Sequence, residues 1–226
     1  MHRVQKLLSN WGYCSRRKAE EFISKGRVKV NDKVIGLGDQ ASESDIITVD
    51  GKRVRAPRRV YLMLNKPLHC VTALRDPQKR TVMDYIRTTE RVVPIGRLDY
   101  NTTGLLLFTN DGDFANKVMH PRYEIAKKYL VEANEPFSKR QIQQMKSGIV
   151  LEDGKTNPAW VKQIGPRTLI ITIHEGRNRI VRRMVQALGL KVKFLQRIAV
   201  GKLELGTLAP GATRKLTKKE LDSIFM

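Results

Sequence analysis

Residues 105–109, Leu-Leu-Leu-Phe-Thr, form an unbroken apolar run, the pattern of a short central strand covered on both faces. The run is fed by Gly96-Arg97-Leu98-Asp99-Tyr100-Asn101-Thr102-Thr103-Gly104, a polar turn bracketed by two glycines. In extended backbone Arg97 and Asp99, two positions apart, share one face and Leu98 points to the other. A turn delivered into a rigid strand is a good way to hold a carboxylate at a cleft. An arginine–aspartate pair that merely ties the turn together fits the same pattern, and both readings stay open on spacing alone. Asn110-Asp111-Gly112 reads as an ordinary turn after the strand.

The elements around this strand do not repeat in strand–helix order. Val4, Leu7, Leu8 and Trp11 mark one face of a short helix, and Ser15 caps a second whose inward side is Ala19, Phe22 and Ile23. Short strands follow at 28–30 and 34–35, then at 46–49 and 52–55, with turns at Asn31-Asp32 and Asp50-Gly51. Ala56-Pro57-Arg58-Arg59 is the best linker candidate, so residues 1–56, a linker at 57–60 and a larger domain at 61–226 are expected. In the larger domain, strands are expected at 61–64, 105–109, 128–132, 169–173 and 192–200, with 208–216 closing the domain around a Pro210-Gly211 turn. Helices are expected at 82–86, 113–119, 138–146 and 178–188, and a final short one capped by Thr217 over Glu220. This order favours an α+β fold with a mostly antiparallel or mixed sheet over a doubly wound one.

The charge narrows the partner. Forty-three Lys plus Arg against 22 Asp plus Glu leave +21 on 226 residues, a field suited to a polyanion. The excess is not confined to a tail: Arg16, Arg17, Lys18, Lys25, Arg27 and Lys29 lie near the start, and Arg177, Arg179, Arg182 and Arg183 far downstream. No segment joins a long apolar face to a basic one, and no apolar run is long enough to span a bilayer, which argues against a membrane partner. Cys14 and Cys70 share no ligand-like spacing, and no secretory leader is evident, so a reducing cytoplasm is expected.

The four histidines, His2, His69, His120 and His174, fall in no metal-ligand spacing. Neither a phosphate loop nor a nucleophile elbow is present, which points away from nucleotide hydrolysis and dinucleotide chemistry; no cofactor and no metal are expected. A second cluster runs from His174 to Met184. As a helix it places Val181, Met184, Val185 and Leu188 on one face, and Arg179, Arg182 and Gln186 on another. Those arginines suit phosphates or a buried acid, and equally suit a solvated basic face.

Gly96-Arg97-Leu98-Asp99 followed by a Thr-Gly-Leu-Leu-Leu strand resembles the signature of the bacterial pseudouridine synthases that act on ribosomal RNA. Residues from about 3 to 50 resemble the S4 RNA-binding module that one branch of that family carries before its catalytic domain. The resemblance covers nearly the whole chain and implies an S4-like domain followed by a pseudouridine synthase domain. It implies that Asp99 is the catalytic aspartate and that Arg97 helps fill the space left by a flipped base. By the same resemblance Tyr129 stacks on the target base, Arg182 pairs with the catalytic carboxylate, and Ile173 or its neighbour lines the pocket. Without it, Tyr129 reads as a core or sheet-face aromatic. Arg177, Arg179 and Arg183, with Arg16, Arg17, Lys18 and Arg27 of the first domain, are the expected RNA contacts.

The implied reaction turns uridine into its C5-linked isomer. It conserves every atom, so neither redox cofactor, ATP nor metal is required. Whether Asp99 attacks C1′ or removes the C2′ proton is open. The implied partner is ribosomal RNA, with 23S rRNA or a precursor ribosomal particle favoured over 16S rRNA because the flanks of Asp99 and residues 178–183 look more like large-subunit members. A monomer is expected, since no apolar helix face is spare. A non-catalytic S4-type assembly protein is the rival reading, and it requires function to survive loss of the Asp99 carboxylate.

Overall fold

The helical spacing of Val4, Leu7, Leu8 and Trp11 is realised in the computed structural model, which describes residues 1–226. These side chains are buried along helix Val4–Asn10 and the residue that closes it. Helix Arg16–Ser24 starts where Ser15 accepts a 3.2 Å hydrogen bond from the Lys18 amide. It adds Ala19 and Ile23 to the same core as Val28, Ile47 and Val49. Strands Val28–Val30, Lys33–Val34, Ile47–Val49 and Lys52–Val54 pair antiparallel. Both two-residue turns, Asn31-Asp32 and Asp50-Gly51, have positive φ at each position, the backbone that matches strand twist in a tight hairpin.

This unit comprises Met1–Val60 together with Thr88–Val93 and Thr109–Gly112. Asn110 does more than turn the chain. Its side chain accepts from the Val60 amide at 2.9 Å and donates to the Arg58 carbonyl at 2.7 Å.

The second unit comprises Tyr61–Arg87, Pro94–Phe108 and Asp113–Met226. Its sheet runs in the spatial order Trp160–Gly165, Thr168–Ile173, Lys127–Ala133, Val192–Val200, Thr103–Thr109, Tyr61–Lys66 and Thr213–Lys215. The fold is α+β. Antiparallel pairs flank a parallel pairing of Gln196 and Arg197 with Thr103 and Gly104, so the sheet is mixed. All seven residues of Thr103–Thr109 are buried. Leu105 and Leu107 pack with Met63, Val118, Val200 and Ile224, while Leu106 and Phe108 are carried to the other face by the strand's period of two. A leucine buried this way stabilises the unit by about 1.5–3 kcal/mol.

Two helices pack on this sheet, and the second of them borders the site. Lys139–Ser147 begins with a capping box between Ser138 and Gln141. Ile180–Ala187 begins after Arg179, whose φ of 49° turns the chain sharply into the helix. Two expectations change. The closing strand is shorter than 208–216, because Pro210-Gly211 turns the chain and only Thr213–Lys215 joins the ladder. Trp160–Gly165 is an additional edge strand in which Val161 alone is buried.

Candidate active site

Pairing between Arg197 and Gly104 sets the site, because it brings the end of the 96–102 turn against the strand carrying Arg197. Gly104 has φ of 107°, and a Cβ there would lie 2.2 Å from the Arg197 carbonyl oxygen; only glycine permits this approach. Arg197 lies opposite Tyr129 on the neighbouring strand. The same pairings thus place the turn, Arg197 and Tyr129 around one cleft of about 490 Å³.

The turn is fastened from three sides, and every fastening uses backbone or neutral groups. The Thr72 hydroxyl donates to the Leu98 carbonyl at 2.7 Å and accepts from the Leu98 amide at 3.2 Å. The Lys66 ammonium, fully buried, donates to the carbonyls of Thr102 at 2.9 Å and Pro67 at 3.1 Å. Arg182 donates through Nη2 to the Asn101 carbonyl at 2.6 Å and to the Thr102 hydroxyl at 3.4 Å. Leu98 is buried, whereas Arg97 is exposed and Asp99 half-buried, and all three border the cleft. This is the alternation that extended backbone dictates. The Asp99 carboxylate takes part in none of these bonds and faces the cleft with its oxygens available.

Positive charge surrounds it. Burial pushes the Lys66 ammonium and the Arg182 guanidinium below their ordinary pKa ranges; the thiol of Cys70 and then the Asp99 charge oppose this at Lys66, and Asp99 opposes it at Arg182. Arg182 is therefore close enough to feel Asp99, but it forms no ion pair with it. Its hydrogen bonds go instead to the Asn101 carbonyl and the Thr102 hydroxyl, two and three residues further on, so the expected paired contact with the carboxylate is not formed.

Tyr129 is 9 % exposed and presents its ring to the cleft. Beside it stand Leu195 and Arg197, brought to the same face by strand alternation. Arg197 is 5 % exposed, with Nε donating to the Leu105 carbonyl at 2.8 Å. Lys127, two residues before Tyr129, also lines the cleft; burial, reinforced by the Arg197 charge, lowers its pKa to about 8.

Ile173 does not line the cleft. It is 2 % exposed in the ladder opposite Lys127, and the wall beyond it is made by residues 175–181. Leu195 and Val200 supply the aliphatic floor instead. Arg177 is on the wall, but its guanidinium is engaged by Glu175 at 2.7 Å, by Asp153 at 3.0 Å and by the carbonyls of residues 153–155. Arg183 lies off the cleft, bidentate to Asp153 at 2.9 Å. Both arginines hold the wall to the Val150–Lys155 region, which leaves Arg179, exposed and unpaired, as the cation of that cluster with its side chain free at the cleft.

In the first unit Arg16 and Arg17 are exposed without ion-pair partners. Lys18 pairs with Glu21 at 2.6 Å, and Arg27 is bidentate to Asp50. Exposed pairs of this kind are weak and open readily to a phosphate.

Lys66, Lys127, Leu195 and Arg197 were not singled out from sequence. The available signal was a basic residue ending or interrupting an otherwise apolar strand, as at Lys66 and Arg197.

A half-buried carboxylate and an aromatic ring thus line one cationic cleft on a mixed α+β sheet. Residues 60–187 match the family model described as RNA pseudouridylate synthase, and residues 2–47 match the S4 domain. The chain is 47% identical to an uncharacterized RNA pseudouridine synthase of Aquifex aeolicus, over 99% of this chain and 93% of that protein. It is 46% identical to the ribosomal large subunit pseudouridine synthase B of Bacillus subtilis, over 98% and 94%. With the dual-specificity RNA pseudouridine synthase RluF of Escherichia coli identity is 35%, over 99% and 78%. A crystal structure of a pseudouridylate synthase superposes with a TM-score of 0.74 at 30% identity, covering 99% of this chain and all of that one. The chain belongs to the RNA pseudouridine synthase family and carries that family's N-terminal S4 domain.

Proposed function

We propose that this enzyme converts a uridine of 23S ribosomal RNA to pseudouridine, with Asp99 as the catalytic carboxylate. The observation that carries this is the Asp99 carboxylate itself. It is half-buried in a cleft with Tyr129, surrounded by the charges of Lys66 and Arg182, and left without a hydrogen-bond partner by a turn that is fastened everywhere else. The large-subunit address is supported by the Bacillus subtilis relative, a ribosomal large subunit pseudouridine synthase, and by the likeness of the Asp99 flanks and residues 178–183 to large-subunit members.

The target uridine leaves its stack at a cost of a few kcal/mol and enters the cleft, where the Tyr129 ring offers a flat face for uracil. Arg97, exposed beside the cleft, occupies the space the base vacates. Asp99 acts at the ribose, at C1′ as nucleophile or at the C2′ proton as base. The N1–C1′ bond breaks, the detached uracil turns within the cleft, and C5 bonds to C1′. The C5 proton passes to water and N1 gains one, so atoms balance without a cofactor. Arg182 fixes the turn, so that the carboxylate stays where the ribose arrives. Residues 1–56, joined by 57–60 to the catalytic domain at 61–226, dock the RNA through Arg16, Arg17, Lys18 and Arg27, and Arg179 adds a phosphate contact at the cleft.

The test is tritium release from ribosomal RNA labelled at uracil C5, followed by chemical mapping of the modified position. Release from 23S rRNA at one uridine supports the assignment. Modification confined to 16S rRNA overturns the address, and no release from either overturns the reaction.

A further inference from the structure

Tyr100 follows Asp99 directly and lines the same cleft, yet 38 % of its surface stays open. An exposed tyrosine alone needs no explanation. This one, however, is built into a rim. The His69 amide donates to the Tyr100 carbonyl at 3.0 Å, and His69 holds a left-handed backbone with φ of 58°, rare for a residue with a side chain. That conformation sets the His69 ring 5.4 Å from the Tyr100 ring at an interplanar angle of 58°. The Lys79 ammonium lies over the Tyr100 ring, 5.3 Å from its centre.

The loop that supplies His69 and Lys79 also exposes Leu68 and Leu74, with Arg75 and Arg80 exposed near them. Two rings, apolar side chains and a local excess of cations at one rim suit a single-stranded nucleic acid whose bases stack and whose phosphates meet lysine or arginine. A peptide or a small metabolite would leave most of that charge unused.

We propose that Tyr100, backed by His69, is a stacking platform for a nucleotide adjacent to the target uridine. The proposal rests on the assigned reaction and extends it to the sequence around the modified base. Asp99 and Tyr100 line the same cleft, so a nucleotide linked to the ribose held at Asp99 lies within reach of the Tyr100 ring. Lys79, on its flexible stem, meets the phosphate of that neighbour. Because stacking energy grows with ring area, the platform favours a purine at the flanking position. Tyr100 positions substrate and takes no part in bond breaking.

The experiment compares wild type, Tyr100→Ala and Tyr100→Phe in C5-tritium release from 23S rRNA, with KM and kcat separated, and locates 254 nm protein–RNA cross-links by mass spectrometry. KM is expected to rise about tenfold in Tyr100→Ala at nearly unchanged kcat, in line with loss of one base–aromatic stack. Tyr100→Phe restores it, and the cross-link maps to the peptide containing residue 100. A Tyr100→Ala enzyme with KM within about twofold of wild type overturns the platform while leaving the reaction standing, as does a Phe variant no better than Ala. A wild type that binds RNA yet releases no tritium overturns the reaction and the platform together.

Discussion

Arg182 reaches the turn that carries Asp99 through its backbone: Nη2 donates to the Asn101 carbonyl oxygen at 2.6 Å, while Asp99 itself keeps its carboxylate free. The guanidinium thus works as a brace. The same nitrogen also meets the Thr102 hydroxyl at 3.4 Å, and the shorter stem of a lysine carries its ammonium short of both acceptors. Arg182→Lys, with charge retained, is expected to lower kcat/KM about a hundredfold, the scale of a misplaced catalytic group. Tritium release at saturating and limiting RNA checks it, and a lysine variant within a few-fold of wild type means that charge alone suffices.

Gly104 makes the approach of the turn to Arg197 possible, so its replacement should cost stability as well as activity. Gly104→Ala forces a Cβ to within 2.2 Å of a backbone oxygen at a φ of 107°, with no flexible side chain to give way. About 3 kcal/mol or more is expected from urea denaturation. Gly176→Ala, on the cleft wall with nothing near its Cβ, should change stability by less than about 0.5 kcal/mol.

Glu220 caps the last helix with Thr217 and pairs with Arg214 at 2.6 Å. The Arg214 hydrogen bond, then the Thr217 amide, hold its carboxyl down at about 2, against 4.5 when unfolded. A carboxyl depressed on folding stabilises fully above its unfolded pKa and loses that contribution as pH falls toward the folded one. Glu220→Gln should therefore cost about 1 kcal/mol at pH 7, allowing for screening of a partly exposed pair. Denaturation across the pH range should show the difference fading between 4.5 and about 2.

Lys127 titrates in the opposite sense. Burial, with Arg197 nearby, brings it from 10.5 to about 8, so the unfolded chain holds its proton more tightly and this group's contribution to stability rises with pH across that interval. For RNA binding the direction reverses, because the cleft loses a cation above about 8. Filter binding at low salt should show wild-type affinity falling between pH 7 and 9 more than that of Lys127→Arg, which stays charged.

What was legible in the sequence was local. The all-buried strand Thr103–Thr109 announces itself by composition, and the starts of helices Arg16–Ser24 and Lys218–Ser223 by their hydroxyl caps. Trp160–Gly165 was not visible, because an edge strand that buries only Val161 and exposes Trp160 carries no alternation. The site shows the same division. Asp99 was conspicuous between its glycines, but its meeting with Tyr129 depends on the pairing of Gly104 with Arg197, ninety-three residues apart in number and unrelated by any spacing. Leu195 and Arg197 were missed for that reason, and Ile173 is buried in the ladder opposite Lys127, two residues before the wall that begins at Glu175. Arg177 and Arg183 looked free for phosphate because Asp153, their common partner, arrives on a distant hairpin.

The central claim is that the Asp99 carboxylate performs the chemistry, and Asp99→Asn tests it most directly, since the amide keeps the shape of a side chain that the fold does not otherwise use. With ribosomal RNA tritiated at uracil C5, wild type should release tritium while Asp99→Asn releases none above background, even though both bind the RNA equally. Tritium release by Asp99→Asn at the wild-type rate would contradict the account.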